Sequence, residues 1–170
     1  MYNVILMDAC TAILLAKASV LESTARTFEV VLPKSVYEEV LAGKEKKFAE
    51  ALLTERLVQN KTIKVKDVEN KKMRDMIKHD FGMGIGEADT ITLAFEEDQM
   101  VATDNKQGRK AAYINTLKLI GSPEIVVALM KMGKISKDKA KQSLKILKNE
   151  GWFNDLLIEK TVEEIENVRN

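Results

Sequence analysis

Five acidic residues stand at the edges of apolar segments and could bind a cation together: Asp8, Glu39, Glu87, Asp89 and Asp104. Asp8 directly follows the apolar run Val4–Met7, and open α/β sheets place their ligands at the carboxyl ends of such strands. Acids gathered there repel one another unless a cation holds them together. Because all of these ligands are oxygens, the expected cation is Mg²⁺ or Mn²⁺, with water in its remaining positions. The pattern predicts a metal-dependent phosphodiesterase site.

Two of these acids have an equally ordinary structural explanation. Asp8 precedes a predicted helix, and Asp is among the preferred N-cap residues. Glu39 has Glu38 as its neighbour, as on many surface helices. However, Glu39 borders the apolar stripe formed by Val36 and Val40, whereas Glu38 points about 100° away from it by the helical period. Both explanations stay open for both residues.

Glu87 and Asp89 are two positions apart on a predicted helix, so they do not share a face. The predicted core stripe of this helix is Ala88, Ile91 and Phe95, and Glu87 borders it more closely than Asp89. We therefore expect Glu87 to be the direct ligand. Asp89 would reach the site through an irregular first turn or through a water molecule. Alternatively, both acids stabilise the helix N-terminus against its dipole.

A basic helix is predicted directly after Asp104. Its residues Lys106, Arg109 and Lys110 are spaced i, i+3, i+4 and form one basic face. This face could hold an anionic nucleic-acid backbone while the metal acts on a phosphodiester. A solvated helix face explains the same residues, and Asp104 with Asn105 is also an ordinary turn pair.

The composition is that of a globular domain without a membrane span. The chain has 170 residues, of which 45% are hydrophobic and 31% charged, which fits a single domain. Its apolar runs are far shorter than the roughly 20 residues of a membrane-spanning helix, and no secretory signal is visible. The net charge of +1 gives no global signal for nucleic acid. A cytoplasmic location is the expectation.

The counts of histidine and cysteine narrow the chemistry. With one histidine, His79, the chain cannot form a ribonuclease site that uses two histidines as acid and base. With one cysteine, Cys10, it has neither an internal disulfide nor a thiolate metal cluster. We expect Cys10 to be a small buried residue rather than a nucleophile.

Short apolar strands alternate with amphipathic helices up to about residue 121. The predicted strands are Val4–Met7, Glu29–Leu32, Thr62–Val65 and Gln99–Thr103. This alternation predicts a three-layer α/β/α fold with a mostly parallel central sheet. Residues 44–57 are predicted as a helix with Phe48, Leu52 and Ala51 facing inward. From Ser122 only helices are predicted, at 124–132, 137–150 and 161–168. We expect residues 1–121 to form the main domain and residues 122–170 a helical extension packed on it.

With these positions identified, the chain resembles the PIN-domain family of metal-dependent nucleases, which includes the toxin ribonucleases of prokaryotic toxin–antitoxin pairs. The segments that carry the resemblance are Val4–Ile13, Leu32–Val40, Gly86–Ala94, Thr103–Asn105, Gly108–Arg109 and Ala111–Ala112. They cover about the first 120 residues in the expected order. The helical tail is similar to that of some stand-alone prokaryotic members.

The resemblance implies a carboxylate pocket made of Asp8, Glu39, Glu87 and Asp104. Thr11 and Asn105 would order the surroundings of the ligands, where hydrogen bonds fix ligand orientation. Many relatives carry a further acid where this chain has Asn105. An amide oxygen contributes no charge, so the resemblance leaves open whether one metal or two are bound.

For function, the resemblance implies a Mg²⁺- or Mn²⁺-dependent endoribonuclease that hydrolyses RNA phosphodiester bonds and acts as the toxin of a toxin–antitoxin pair. An antitoxin protein and a second copy of the chain, as a homodimer, would be its partners. Three alternatives stay open: a housekeeping RNA-processing nuclease, a catalytically silent module that binds RNA or protein, and an acidic-pocket phosphotransfer domain. Cys10 argues against a phosphatase with an Asp-x-Asp pair, since it occupies the position of the second Asp.

Overall fold

A computed structural model describes residues 4–46 and 48–168 of the protein, and a parallel sheet runs through its centre. In chain order its strands are β1 (Val4–Met7), β2 (Glu29–Pro33), β3 (Ile63–Lys66), β4 (Met100–Ala102) and β5 (Leu119–Ile120). Across the sheet their order is β3-β2-β1-β4-β5, and every neighbouring pair is parallel. The carboxyl ends of all these strands therefore meet at one edge.

Helices connect the strands and continue after the last one. In the described part of the chain they are α1 (Ala9–Lys17), α2 (Leu21–Thr27), α3 (Lys34–Ala42), α4 (Ala49–Gln59), α5 (Lys71–Phe81), α6 (Ile85–Glu97), α7 (Lys106–Ile114), α8 (Ser122–Lys131), α9 (Lys137–Glu150) and α10 (Asp155–Asn167). Gly82 ends α5 in the left-handed conformation, with φ of 60°, which glycine adopts without a steric penalty.

Side chains of the central strand β1 alternate between two hydrophobic cores. Ile5 and Met7 belong to one core, to which α1, α3, α8 and α9 contribute. Leu6 belongs to the other, together with Val31, Val101 and residues of α5, α6 and α7. Such alternation follows from the two-residue period of a strand. A sheet with helices packed on both faces confirms the predicted three-layer α/β/α fold.

The C-terminal helices share the core on one face of the sheet. Ile125 of α8, Leu144 of α9 and Ile165 of α10 are buried in the same cluster as Ile5. Helix α10 is longer than predicted, since it begins at Asp155 rather than Thr161. The boundary between residues 121 and 122 stays a prediction.

Strand β5 is absent from the sequence-based expectation. Its two residues are too few to show an alternating pattern. Its position depends on two ladder bonds with β4, in which the amide of Val101 donates to Lys118 O at 2.8 Å and that of Thr103 donates to Ile120 O at 3.1 Å. Because β5 lies beside β4, it brings the start of α8 to the carboxyl edge of the sheet.

Three expectations about inward-facing side chains were wrong. Phe48 and Leu52 are exposed, and helix α4 begins only at Ala49 instead of residue 44; Lys47, inside that range, lies outside the described residues. Phe95 is also exposed, although Ala88 and Ile91 are buried as predicted. Phe95 lies near the end of α6, directly after Ala94, the last buried residue of that helix.

Candidate active site

Asp8 and Asp104 lie side by side because their strands are neighbours. Asp8 directly follows β1, Asp104 lies two residues after β4, and these strands pair in parallel. Thr11 connects the two acids. Its amide donates to Asp8 Oδ1 at 2.8 Å, and its hydroxyl donates to Asp104 Oδ2 at 3.2 Å. The N-cap explanation of Asp8 is thus correct for one of its two carboxylate oxygens.

The second oxygen of Asp8 is buried without a partner. The side chain is 2% exposed, and Oδ2 accepts no well-formed hydrogen bond from the described residues. Burial raises the pKa of Asp8 to about 6, against the lowering effect of Thr103 and Thr11; the charge of Asp104 raises it further. An unpaired buried carboxylate is costly. A bound cation would remove that cost.

Asp104 is held by the start of helix α8. Its Oδ1 accepts a hydrogen bond from the amide of Ser122 at 2.8 Å, and its Oδ2 accepts one from the Ser122 hydroxyl. Burial raises the pKa of Asp104, the bonds from Ser122 and Thr11 oppose the increase, and the charge of Glu124 adds to it. Ser122 and Glu124 were missed in the sequence, because their position depends on the short strand β5.

Glu39 and Glu87 come from two helices that pack on each other, α3 and α6. Partial burial raises the pKa of Glu39, and the charge of Glu87 raises it further. Their approach depends on Gly86, where an added Cβ would lie 2.8 Å from Glu39 Oε2. Glu87 also accepts a hydrogen bond from the amide of Gly84 at 3.0 Å. It therefore stabilises the start of α6, as the alternative explanation held, while facing Glu39.

The thiol of Cys10 is affected by the charges of all four acids. Its pKa is raised to about 12, first by partial desolvation and then by the charges of four carboxylates: Asp8, Asp104, Glu87 and Glu39. The expectation that Cys10 is buried was wrong, since the residue is exposed. It follows Asp8 by two positions, on the first turn of α1.

Asp89 lies on a different face of α6. It accepts a hydrogen bond from the hydroxyl of Ser35, and its Oδ1 is 3.8 Å from Arg74 Nη1. Burial raises its pKa, and Ser35 and Arg74 oppose the increase. At 4% exposure Asp89 is more buried than Glu87, contrary to the expected order. Glu87, not Asp89, is among the acids that act on Cys10.

Thr11 forms hydrogen bonds with the acids of the site, whereas Asn105 caps a helix. Thr11 is fully buried and bonds to both Asp8 and Asp104. Asn105 instead caps helix α7, where its Oδ1 accepts from the amides of Gln107 at 2.8 Å and Gly108 at 3.2 Å. The oxygen of this amide is therefore already used by the backbone.

The three residues of the predicted basic face differ in their exposure. Lys106 and Lys110 are exposed on α7. Arg109 is half-buried, and its Nη1 donates to Thr103 O at 3.3 Å. Arg109 thus contributes to the architecture beside Asp104, whereas the two lysines are available to an anionic ligand.

The donor set fits a hard divalent cation. Its side-chain ligands are carboxylates, one of which has a buried orphan oxygen, and such ligands suit Mg²⁺ and Mn²⁺. Within residues 4–46 and 48–168, no three histidine, cysteine or carboxylate side chains already have the spacing of a formed metal centre. Asp8, Glu39, Glu87 and Asp104 would hold the ion, with water completing its coordination.

Comparison with protein families identifies the family of the chain. A family model described as a PIN domain matches residues 4–167. No curated protein matches the chain. None of the helices in the described ranges has both the length and the apolar character needed to cross a membrane.

Proposed function

The chain belongs to the PIN-domain family, and from that membership we propose that it is a Mg²⁺- or Mn²⁺-dependent endoribonuclease that acts as the toxin of a toxin–antitoxin pair. PIN domains are generally nucleases and usually use divalent metal ions. The observation that supports the proposal most strongly is the buried, unpaired oxygen of Asp8 in a carboxylate that Thr11 joins to Asp104.

The four acids form two halves of the proposed cation site. Asp8 and Asp104, whose strands fix them, form the rigid half of the cation site. Glu39 and Glu87, on longer side chains from α3 and α6, form the adaptable half. When bound, the divalent ion lowers the pKa of a water molecule and neutralises charge on the phosphate. The pKa values of Asp8, Glu39 and Asp104 are all raised, first by burial, so a bound cation would favour the ionised form of each of them.

Substrate binding is assigned to the end of the sheet that carries the acids. Lys106 and Lys110 project from α7, which begins two residues after Asp104. Their ammonium groups would contact phosphates on either side of the cleaved bond without reading sequence. Thr11 and Ser122 hold Asp8 and Asp104 in place by the hydrogen bonds described above.

Cleavage of a labelled single-stranded RNA, measured with Mg²⁺, with Mn²⁺ and with EDTA, tests the enzymatic part of the proposal. We expect cleavage with either metal, none with EDTA, and a loss of at least about 100-fold in Asp8→Asn and Glu39→Gln, because removing a metal ligand weakens charge stabilisation in the transition state. The exposed Asp80→Asn is the matched control. Absence of cleavage in a protein that still binds RNA would favour the silent binding module.

The toxin role needs a separate experiment. The product of a small reading frame beside the gene should form a stable complex with the protein and block its RNA cleavage. Expression of the nuclease alone should arrest growth, and Asp8→Asn should abolish the arrest. Metal-dependent cleavage without growth arrest or an inhibitory partner would favour the housekeeping RNA-processing enzyme.

A further inference from the structure

A pocket with an apolar interior opens beside Glu39. Its walls come from α1, α3 and α4, and its volume is about 630 Å³, which is within the range of small-molecule sites. Ile13, Val40 and Ala51 contribute apolar side chains to these walls. Glu39, an acid of the proposed cation site, also lines the pocket. A group that occupies the pocket therefore lies next to the proposed cation site.

Phe48 lines the same pocket and leaves half of its side chain in solvent. The sequence predicts this residue to face inward, but it is 52% exposed. Its amide donates to Gly43 O at 3.2 Å. A Cβ added to Gly43 would lie 3.1 Å from Phe48 Cδ2, so the ring occupies space that a side chain at residue 43 would need. These contacts hold an aromatic ring at the pocket and leave much of its surface uncovered.

Among the described residues, the charges that line the pocket balance one another. Lys17 and Lys46 are present together with Glu39 and Glu50, and Lys17 is already paired with Glu150 at 2.6 Å. The lining thus has no excess of positive charge that would draw a phosphate inside. It fits an uncharged group with apolar faces. A nucleobase is such a group, because every base has a π-face that stacks on aromatic side chains.

The pocket and the basic residues of α7 lie on opposite sides of the central strand. Strands β2 and β4 flank β1. Helix α3, which carries Glu39, follows β2, whereas α7, which carries Lys106 and Lys110, follows β4. An RNA strand that crosses the acids would place phosphates against α7 and bring a base to the pocket on the other side. Unpaired bases of single-stranded RNA can leave the stack in this way.

We propose that this pocket is a subsite for one unpaired nucleobase of the RNA, which stacks on Phe48 beside the cleaved phosphodiester. The inference rests on the proposed function, because it takes Glu39 as part of the cation site. It makes the substrate single-stranded at the cleavage position, since a paired base leaves its stack only at an energetic cost. An apolar side chain of a partner protein could fill the same walls, but that role does not require the pocket to adjoin the cation site.

Binding of single-stranded RNA in EDTA tests the inference without cleavage. The oligonucleotides carry the fluorescent base 2-aminopurine at successive positions, and its emission falls when it stacks on an aromatic ring. We expect quenching at one position in the parent. Phe48→Leu should lose the quenching and bind RNA about 5- to 150-fold more weakly, the range for loss of one base–aromatic stack. Phe48→Tyr should keep both properties, and Phe95→Leu, at a phenylalanine of α6 that is 51% exposed, is the matched control.

RNA cleavage with Mn²⁺ separates this inference from the proposed function. Phe48→Leu should raise KM by a similar factor and leave kcat nearly unchanged, because stacking binds substrate and transition state alike. If Phe48→Leu cleaves RNA with the parent's affinity and KM, the base subsite is wrong and the nuclease stands. If that variant binds RNA normally but loses an inhibitory protein partner, the pocket belongs to the partner and the inference is also wrong. A parent that neither binds nor cleaves RNA would overturn both proposals.

Discussion

Removing the charge of Asp8 should stabilise the metal-free protein. Burial raises the pKa of Asp8 from 3.8 to about 6, and each pKa unit corresponds to about 1.4 kcal/mol. At pH 7.5 the ionised side chain therefore lowers the free energy of unfolding by about 3 kcal/mol. Asn keeps the acceptor for the amide of Thr11, because Asn is as good an N-cap as Asp. Asp8→Asn should therefore raise the free energy of unfolding of the metal-free protein by most of that amount.

The pH dependence of this effect has a definite sign. The folded-state pKa is raised, so the native state binds the proton more tightly than the unfolded chain. Below about pH 4 Asp8 is protonated in both states, and variant and parent should be equally stable. The destabilisation of the parent develops as pH rises from about 4 to about 6 and is constant above that. The advantage of Asp8→Asn should follow the same curve.

Urea and thermal denaturation in EDTA at pH 4 and pH 7.5 measure this difference, with the exposed Asp80→Asn as control. At pH 7.5 the thermal midpoint of Asp8→Asn should exceed that of the parent by roughly 6–12 °C, given about 2–4 °C per kcal/mol for a chain of this size. Saturating Mn²⁺ should stabilise the parent much more than the variant. If Asp8→Asn is no more stable than the parent at pH 7.5, or if its gain in stability is the same at both pH values, the charge of Asp8 does not destabilise the metal-free protein.

Three further predictions concern the acids, the thiol and the basic helix. With saturating metal, Glu87→Gln should lose at least about tenfold more RNA cleavage than Asp89→Asn, because Glu87 faces the acid cluster; the opposite ranking would place the site on the other face of α6. Iodoacetamide should modify Cys10 slowly at pH 8, since the pKa of its thiol is about 12, and it should react faster in metal-free Glu87→Gln. Equal rates in parent and variant would mean that the charge of Glu87 does not affect the thiol. Replacing Lys106 and Lys110 with Ala should flatten the slope of log affinity for single-stranded RNA against log salt concentration by about 1.4. Calorimetry should find an unchanged Mn²⁺ affinity in the same variant. An unchanged slope would mean that neither lysine contacts the RNA.

The sheet and most helices could be predicted because their signals are local. Val4–Met7 is a continuous apolar run, which is typical of a strand buried on both faces, and Pro33 separates β2 from α3 as expected. The strand order follows neither from periodicity nor from turn residues. Strand β5, with two residues, is defined by its bonds to β4 alone, and no sequence pattern of that length identifies a strand.

The candidate site was predictable only in part, because some of its residues are positioned by tertiary packing. Asp8 and Asp104 could be placed at strand ends from the sequence. Whether Glu87 or Asp89 faces them depends on how α6 rotates against α3, which Gly86 allows to pack closely. Glu124 could not be found, because its approach to Asp104 depends on β5.

The anomalous scattering of Mn²⁺ in crystals of the protein would show whether Asp8, Glu39, Glu87 and Asp104 form one cation site. We expect an anomalous peak within about 2.5 Å of a carboxylate oxygen of Asp8 and of Asp104, with Glu39 and Glu87 bound to the ion directly or through water. A peak held instead by Asp89, or no peak at saturating Mn²⁺, would contradict this expectation.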